Sequence, residues 1–330
     1  MSEDRPVKKR ILIAEDDVVS RRVLEVFLSR WGYSVTAVTN GTDALRVLSE
    51  EHAPRLAVLD WMMPGLEGVE VCAKVRERKD VAYTYLLLLS SRNEKKDTLA
   101  GLQAGADDYL TKPFDAEELQ ERLFVGERIL NLQDELIAAR DALQFQATHD
   151  TLTGIANRGE ILNATSRELA RARREHTTLG IVMADIDHFK QVNDRYGHQT
   201  GDAILCGVAL RLSSLIRTYD TVGRYGGEEF LILAPASDAT GIVRLAERLR
   251  AGMEGSSFET SAGTLRLTLS LGAVVSNVDS SLDCQALLHV ADAALYRAKA
   301  NGRNRAEMAT GEDLSAAVAG TNLVHASREG

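Results

Sequence analysis

Residues 179–202 read LGIVMADIDHFKQVNDRYGHQTGD, and a second stretch, residues 224–230, reads RYGGEEF. The apolar run Gly180 to Ala184 predicts a strand with Asp185 at its end. The second stretch fits a hairpin whose glycines allow a tight turn and a close backbone approach to a ligand. Acidic groups on neighbouring strands then face each other. Further strands are expected at Phe230–Leu233 and at Leu265–Val275, the latter rich in β-favouring Thr and Val, with helical stretches between. Residues 150–306 are therefore read as an α+β domain of ferredoxin-like, palm-type architecture.

Upstream, from residue 10 to about residue 125, short apolar runs (Ile11–Ala14, Ser34–Val38, Leu56–Leu59, Leu86–Leu89, Tyr109–Leu110) alternate with amphipathic helical stretches. This alternation predicts right-handed βαβ units on a parallel sheet, an α/β doubly wound (βα)5 domain over residues 8–125. In such a sheet the functional site lies at the carboxyl ends of the strands. Glu15 and Asp16 follow the first strand, Asp60 ends the third, Ser90 ends the fourth and Lys112 follows the fifth. Clustered carboxylates repel one another, and a shared Mg²⁺ is the natural way to keep them together. Asp60 then becomes a nucleophile toward phosphorus, with Lys112 and Ser90 placed to meet the phosphoryl oxygens.

Between the two domains, Asp115 to His149 contains no proline, and Leu119, Leu123, Ile129 or Leu130, Leu136 or Ile137, and Leu143 recur at helical spacing, with Gly126 the one weak point. A long connecting helix is expected, with residues 126–149 as linker. It is either an amphipathic helix packed on its own domain or a coiled coil joining two copies of the chain. The tail, residues 307–330, is small and polar and is expected to be flexible.

The composition suits these readings. With 330 residues the chain is long enough for two cores, and 45% apolar against 26% charged residues is ordinary for a globular protein. A net charge of −9 argues against broad binding to nucleic acid or anionic lipid, yet leaves room for a small basic site that takes a nucleotide. Cys72, Cys206 and Cys284 lie far apart without metal-site spacing, which suggests the reducing cytoplasm. The charged N-terminus leaves no room for a signal peptide, and no apolar run approaches the roughly 20 residues of a membrane helix.

Asp185 and Glu228, on adjacent strands, read as a two-carboxylate cradle for divalent ions, the arrangement of nucleotidyl transfer. Lys190, Lys299 and Arg303 are cations free to meet phosphates, and Asn193 and Asp202 are able to read a base edge, with Asp suited to guanine.

Two resemblances follow. The residues EDD at Glu15–Asp17, DWMMPG at Asp60–Gly65, Ser90 and TKP at Thr111–Pro113 resemble response-regulator receiver domains. That likeness implies Asp60 as phosphoacceptor, Mg²⁺ held by Glu15, Asp16, Asp60 and the Met62 carbonyl, a Ser90–Tyr109 switch, and a sensor histidine kinase as partner. The residues DTLTGIANR, DIDHFKQVNDRYGHQTGD, RYGGEEF and ADAALYRAKANGRN, in that order, resemble the GGDEF diguanylate cyclases. The implied reaction condenses two GTP into cyclic di-GMP in a homodimer, with Mg²⁺ or Mn²⁺ on Asp185, the Ile186 carbonyl and Glu228. The likeness also places Glu229 near the chemistry, Asn193 and Asp202 on guanine, Lys190, Lys299 and Arg303 on the triphosphate, and Gly226 and Gly227 in the turn beneath. Arg217-Thr-Tyr-Asp220 matches the RxxD product-inhibition motif, with Arg248 as a weaker contributor. Three rivals stand beside this reading: a domain that only senses the nucleotide, an enzyme making a mixed guanine–adenine product, and a DNA-binding regulator. The last lacks a basic recognition helix.

Overall fold

The computed structural model describes residues 9–78, 82–91, 95–276 and 282–317. The expected start of the first domain at residue 8 and residues 318–330 of the tail lie outside them. The chain divides into two units, Met1–Arg140 and Asp141–Gly330.

The first unit alternates β1 (Arg10–Ala14), α1 (Val18–Arg30), β2 (Ser34–Val38), α2 (Gly41–Leu48), β3 (Leu56–Asp60), α3 (Gly68–Arg76), β4 (Tyr85–Ser90), α4 (Lys95–Gln103), β5 (Asp108–Thr111) and α5 (Ala116–Thr148). The five strands are parallel in the order β2-β1-β3-β4-β5. β3 and β4 are buried along their whole length, which is why they read as continuous apolar runs rather than alternating ones. One face packs Leu12, Leu59, Leu86 and Leu88 against α2 and α3; the other packs Ile13, Val58, Leu87 and Leu89 against α1 and α5.

The helix α5 runs for 33 residues. Leu119, Leu123, Gly126 and Leu130 form its buried stripe. Gly126 is not a weak point here: a Cβ there would stand 2.5 Å from the Tyr85 ring, so glycine is what lets α5 lie against β4. Leu130 stays in the core of the first unit, and Arg55 grips Asp134 with both carboxylate oxygens (2.7 and 2.8 Å), so packing on this unit continues past residue 125. Farther on, Leu132, Leu136, Ile137, Leu143 and Phe145 are exposed.

The second unit continues with α6 (Arg158–Glu175), β6 (Leu179–Ile186), α7 (Phe189–Tyr196), α8 (His198–Leu215), β7 (Thr221–Gly226), β8 (Glu229–Pro235), α9 (Ala239–Glu254), β9 (Phe258–Thr260), β10 (Gly263–Leu265), β11 (Leu269–Val275), α10 (Cys284–Ala300) and β12 (Ala306–Met308). The order β11-β6-β8-β7 is antiparallel throughout, the ferredoxin-like arrangement, and β12 adds a parallel edge beside β11. The expected strand over 265–275 is two: Gly263, at φ +102°, turns the β9–β10 hairpin, and β11 begins only at Leu269.

The tail expectation is corrected over residues 307–317. β12 reaches Met308, residues 311–317 are helical, and Leu314 and Ala317 pack on the core face formed by α6 and α10. Thr310 and Asp313 cap each other, Asp313 Oδ2 accepting from the Thr310 N–H (2.7 Å) and Thr310 Oγ1 from the Asp313 N–H (3.3 Å). Arg297 adds a two-pronged ion pair to Asp313 at 2.8 Å.

Candidate functional site

In the first unit the carboxyl ends of β1, β3 and β5 bring Glu15, Asp60 and Lys112 together. Glu15 and Asp60 are buried and Asp16 is exposed, and oxygens of the three lie within 4.8 Å of one another. Lys112 Nζ stands 2.6 Å from Glu15 Oε2 and 2.9 Å from Asp60 Oδ1. Burial raises the pKa of Glu15 and of Asp60 against the opposing pull of Lys112. Burial would lower the Lys112 ammonium, but its bonds to the two carboxylates outweigh that and raise it. One ammonium balances one of three clustered charges, and the remaining oxygens suit a hard divalent cation such as Mg²⁺. The start of α3 comes close behind: a Cβ at Gly68 would overlap the Asp60 carbonyl. Ser90 is buried at the end of β4, and Tyr109 lies inward, edge-on to Trp61 with centroids 6.2 Å apart. Met62 follows Asp60 with its side chain exposed.

In the second unit, strand register sets the carboxylates. Asp185 on β6 pairs with Glu229 on β8 and with Ser270 on β11. Glu228, expected on a strand, sits in the β7–β8 turn, where its carbonyl accepts from the Ile186 N–H (3.3 Å). Glu229, rather than Glu228, is therefore directly across from Asp185. Neither Gly226 nor Gly227 takes a left-handed conformation, and the β7–β8 pairing shifts register between Arg224 and Gly226, just ahead of the turn. A Cβ at Gly227 would meet nothing within 4 Å, so this backbone is open to a ligand.

Lys299 Nζ lies 2.7 Å from Asp185 Oδ2. Burial raises the pKa of Asp185, Glu228 and Glu229; the two glutamates are raised further by the Asp185 charge, and Lys299 lowers all three. Asp185 and Glu229 thus face each other across β6 and β8, with Glu228 in the turn beside them and Lys299 holding Asp185. Asn193 on α7 has its Oδ1 buried without a hydrogen-bond partner among the described residues, against Gly201 of α8. Asp202, next to Gly201, is exposed, as are Lys190 and Arg303. Arg303 is near enough to lower the Asp185 pKa.

Residues given no role from sequence complete the site. Arg224 donates to the Gly227 carbonyl (3.0 and 2.8 Å) and to both oxygens of Asp150 (3.2 Å each), tying the DTLTG segment to the turn. Asp187 is buried beneath Asp185 among hydroxyl donors. Both lie inside the quoted motifs, but a sequence does not tell which polar residue of a motif faces a ligand and which holds the backbone.

Arg217 and Asp220 close a short turn in which Asp220 Oδ2 accepts from the Arg217 N–H (2.9 Å), while Asp220 Oδ1 is buried without a partner among the described residues. The Arg217 guanidinium donates to the Tyr219 hydroxyl (2.9 Å) and lines a hollow of about 730 Å³ with His176, Arg244 and the start of α9. Arg248 is exposed farther along α9 and does not line that hollow.

Comparison with known proteins agrees with this geometry. The diguanylate cyclase GGDEF domain model matches residues 147–305, and the response regulator receiver domain model matches residues 11–124. The chain carries a receiver domain followed by a GGDEF domain. It is 31% identical over 251 residues to the response regulator PleD of Caulobacter vibrioides, covering 76% of this chain and 55% of PleD. It is 37% identical over 182 residues to the diguanylate cyclase DosC of Escherichia coli, covering 55% of this chain and 39% of DosC. The chain thus spans between about two fifths and just over half of these relatives. Among solved structures, the coiled coil and GGDEF domain of DgcB from Caulobacter crescentus, in complex with c-di-GMP, matches at a TM-score of 0.50 and 30% identity, covering 56% of this chain and 99% of that one. No helix among the described residues is long and apolar enough to cross a membrane.

Proposed function

We propose that this chain is a diguanylate cyclase controlled by phosphorylation of Asp60. The observation that carries the reading is Asp185 facing Glu229 in register, with Glu228 in the adjoining turn and Lys299 on Asp185. Asp185, Glu228 and the Ile186 carbonyl would hold Mg²⁺ or Mn²⁺, which when bound would polarise a phosphate and favour an attacking hydroxylate. Asn193 and Asp202 orient guanine, and Lys190, Lys299 and Arg303 hold the triphosphate. In the reaction each GTP 3′-oxygen bonds to the α-phosphorus of the other nucleotide, and two pyrophosphates leave with cyclic di-GMP. One domain presents one such site, so two copies must face each other.

The exposed residues Val125, Ile129, Leu132 and Leu136 recur at three-to-four-residue steps along α5, and Leu143 follows seven residues later, which supports a parallel coiled coil between copies. A phosphoryl group received from a sensor histidine kinase at Asp60, bound by Lys112 and drawing on the Ser90–Tyr109 switch, would alter receiver pairing and with it the approach of two cyclase domains. Product held by Arg217 and Asp220, with a smaller part for Arg248, would inhibit. Intact cation and carboxylate sets favour catalysis over nucleotide sensing, and Asp202 favours guanine over a mixed product. The protein would act in the cytoplasm.

Incubation with GTP and Mg²⁺, with and without beryllofluoride, tests this directly. Chromatography should show cyclic di-GMP and pyrophosphate at one to two, with a faster rate and a larger mass by light scattering in the activated sample. Absence of product would sink the cyclase reading; equal rates would sink the control.

A further inference from the structure

The loop after α10 holds three successive residues in left-handed backbone, one of which, Arg303, does not favour it. Gly302, Arg303 and Asn304 follow one another at φ +108°, +62° and +45°. Gly and Asn enter this region readily, but Arg does not, and left-handed backbone at Arg303 persists only where the surroundings over-determine it. The surroundings here are specific. The Asn304 N–H donates to Asp187 Oδ2 at 3.0 Å. The Asn304 side chain is gripped from α9, its Oδ1 accepting from Arg250 (3.1 Å) and its Nδ2 donating to Glu254 (2.8 Å).

Asp187 is itself fixed from the other side. It is buried, two residues beyond Asp185, and its oxygens accept from Thr268 Oγ1 and Ser270 Oγ at 2.6 Å each. A carboxylate that merely stapled β6 to β11 would need only those two bonds. The third bond leaves the sheet and reaches the residue next to Arg303.

We propose that Asp187 is a positioning residue of the nucleotide site: its buried carboxylate locks residues 302–304 in the left-handed turn that aims Arg303 at the triphosphate. The inference rests on the proposed cyclase reading, in which Arg303 meets phosphate. Without the lock, the turn relaxes toward right-handed backbone and Arg303 is no longer held toward the site. The guanine readers on α7 and α8 do not depend on this loop, so base recognition is untouched.

The test uses the full chain and two probes, GTP and GMP, titrated in Mg²⁺ buffer beside steady-state product formation. Asp187→Asn keeps the side-chain volume but turns one acceptor into a donor that faces other donors. It should weaken GTP binding and raise KM for GTP by about tenfold, with kcat within about twofold and GMP affinity unchanged. In an Arg303→Ala background, Asp187→Asn should add nothing further, because the residue acts through Arg303. Should Asp187→Asn unfold, Ser270→Ala, which removes one of the three donors, carries the same test at about threefold. Equal losses for GTP and GMP, or penalties that multiply in the double variant, would overturn the proposal. A wild-type protein that binds GTP but forms no product would overturn the cyclase reading alone, since the GTP and GMP titrations still report on the lock.

Discussion

Replacing Gly201 by alanine should separate nucleotide recognition from stability. Gly201 lies in the first turn of α8, and a Cβ there would overlap Asn193 Oδ1, come within 3.0 Å of Asn193 Cγ and within 3.3 Å of Phe189 Cζ. The atom in the way is the end of a polar side chain, and its Oδ1 has no partner among the described residues, so the fold loses no hydrogen bond when Asn193 turns aside. Alanine meanwhile favours the helix over glycine by about 1 kcal/mol. The two effects leave the melting temperature unchanged or slightly raised. Recognition is another matter. If Asn193 reads guanine, its displacement removes one or two hydrogen bonds to a buried base edge, roughly 1.5–3 kcal/mol, or about 10- to 150-fold in GTP affinity. The assay is GTP titration beside thermal unfolding. Wild-type GTP affinity in the variant would refute Asn193 as a guanine reader, and a drop of several degrees would refute the claim that Asn193 alone yields.

Three further outcomes are expected. Asp60→Asn should abolish labelling by acetyl phosphate, and persistent one-to-one labelling would remove Asp60 as the acceptor. Arg217→Ala should raise the cyclic di-GMP concentration needed for inhibition; an unchanged value would remove the RxxD site. Because Asp185, Glu228 and Glu229 all have raised pKa values, chiefly through burial, they should protonate above the ordinary carboxylate range near pH 4, roughly, and lose their grip on a cation there. The sign for stability is opposite: a carboxyl group with a raised folded-state pKa favours the fold as it protonates. Turnover should therefore fall on acidification while circular dichroism stays native, and simultaneous loss of both would contradict this.

The architecture was legible because two periods run through the sequence without conflict. The apolar runs of β1, β3 and β4 announced parallel strands buried on both faces, with Glu15, Asp60 and Ser90 at their ends and Lys112 just past β5. The long helix α5 was visible from spacing, as was Asp185 at the end of β6. Less visible were features set by close approach. Gly126 read as a flaw in α5, and only the Tyr85 ring beside it shows why glycine stands there. Thr310 and Asp313 carried a capping signal within a tail whose small polar residues suggested none.

What the sequence determined by itself is the pattern of elements and the inventory of chemistry: a parallel-sheet domain with an acidic trio, a helix, and an α+β domain with carboxylates, phosphate cations and amides in a fixed order. These follow from side-chain periodicity and residue type, which are local. Only tertiary structure decided which members of that inventory meet. Register put Glu229, not Glu228, across from Asp185, because a single residue of hairpin shift exchanges strand for turn. Folding also brought Asn304 to Asp187, 117 positions apart in sequence, and a contact of that separation leaves no trace in either segment alone.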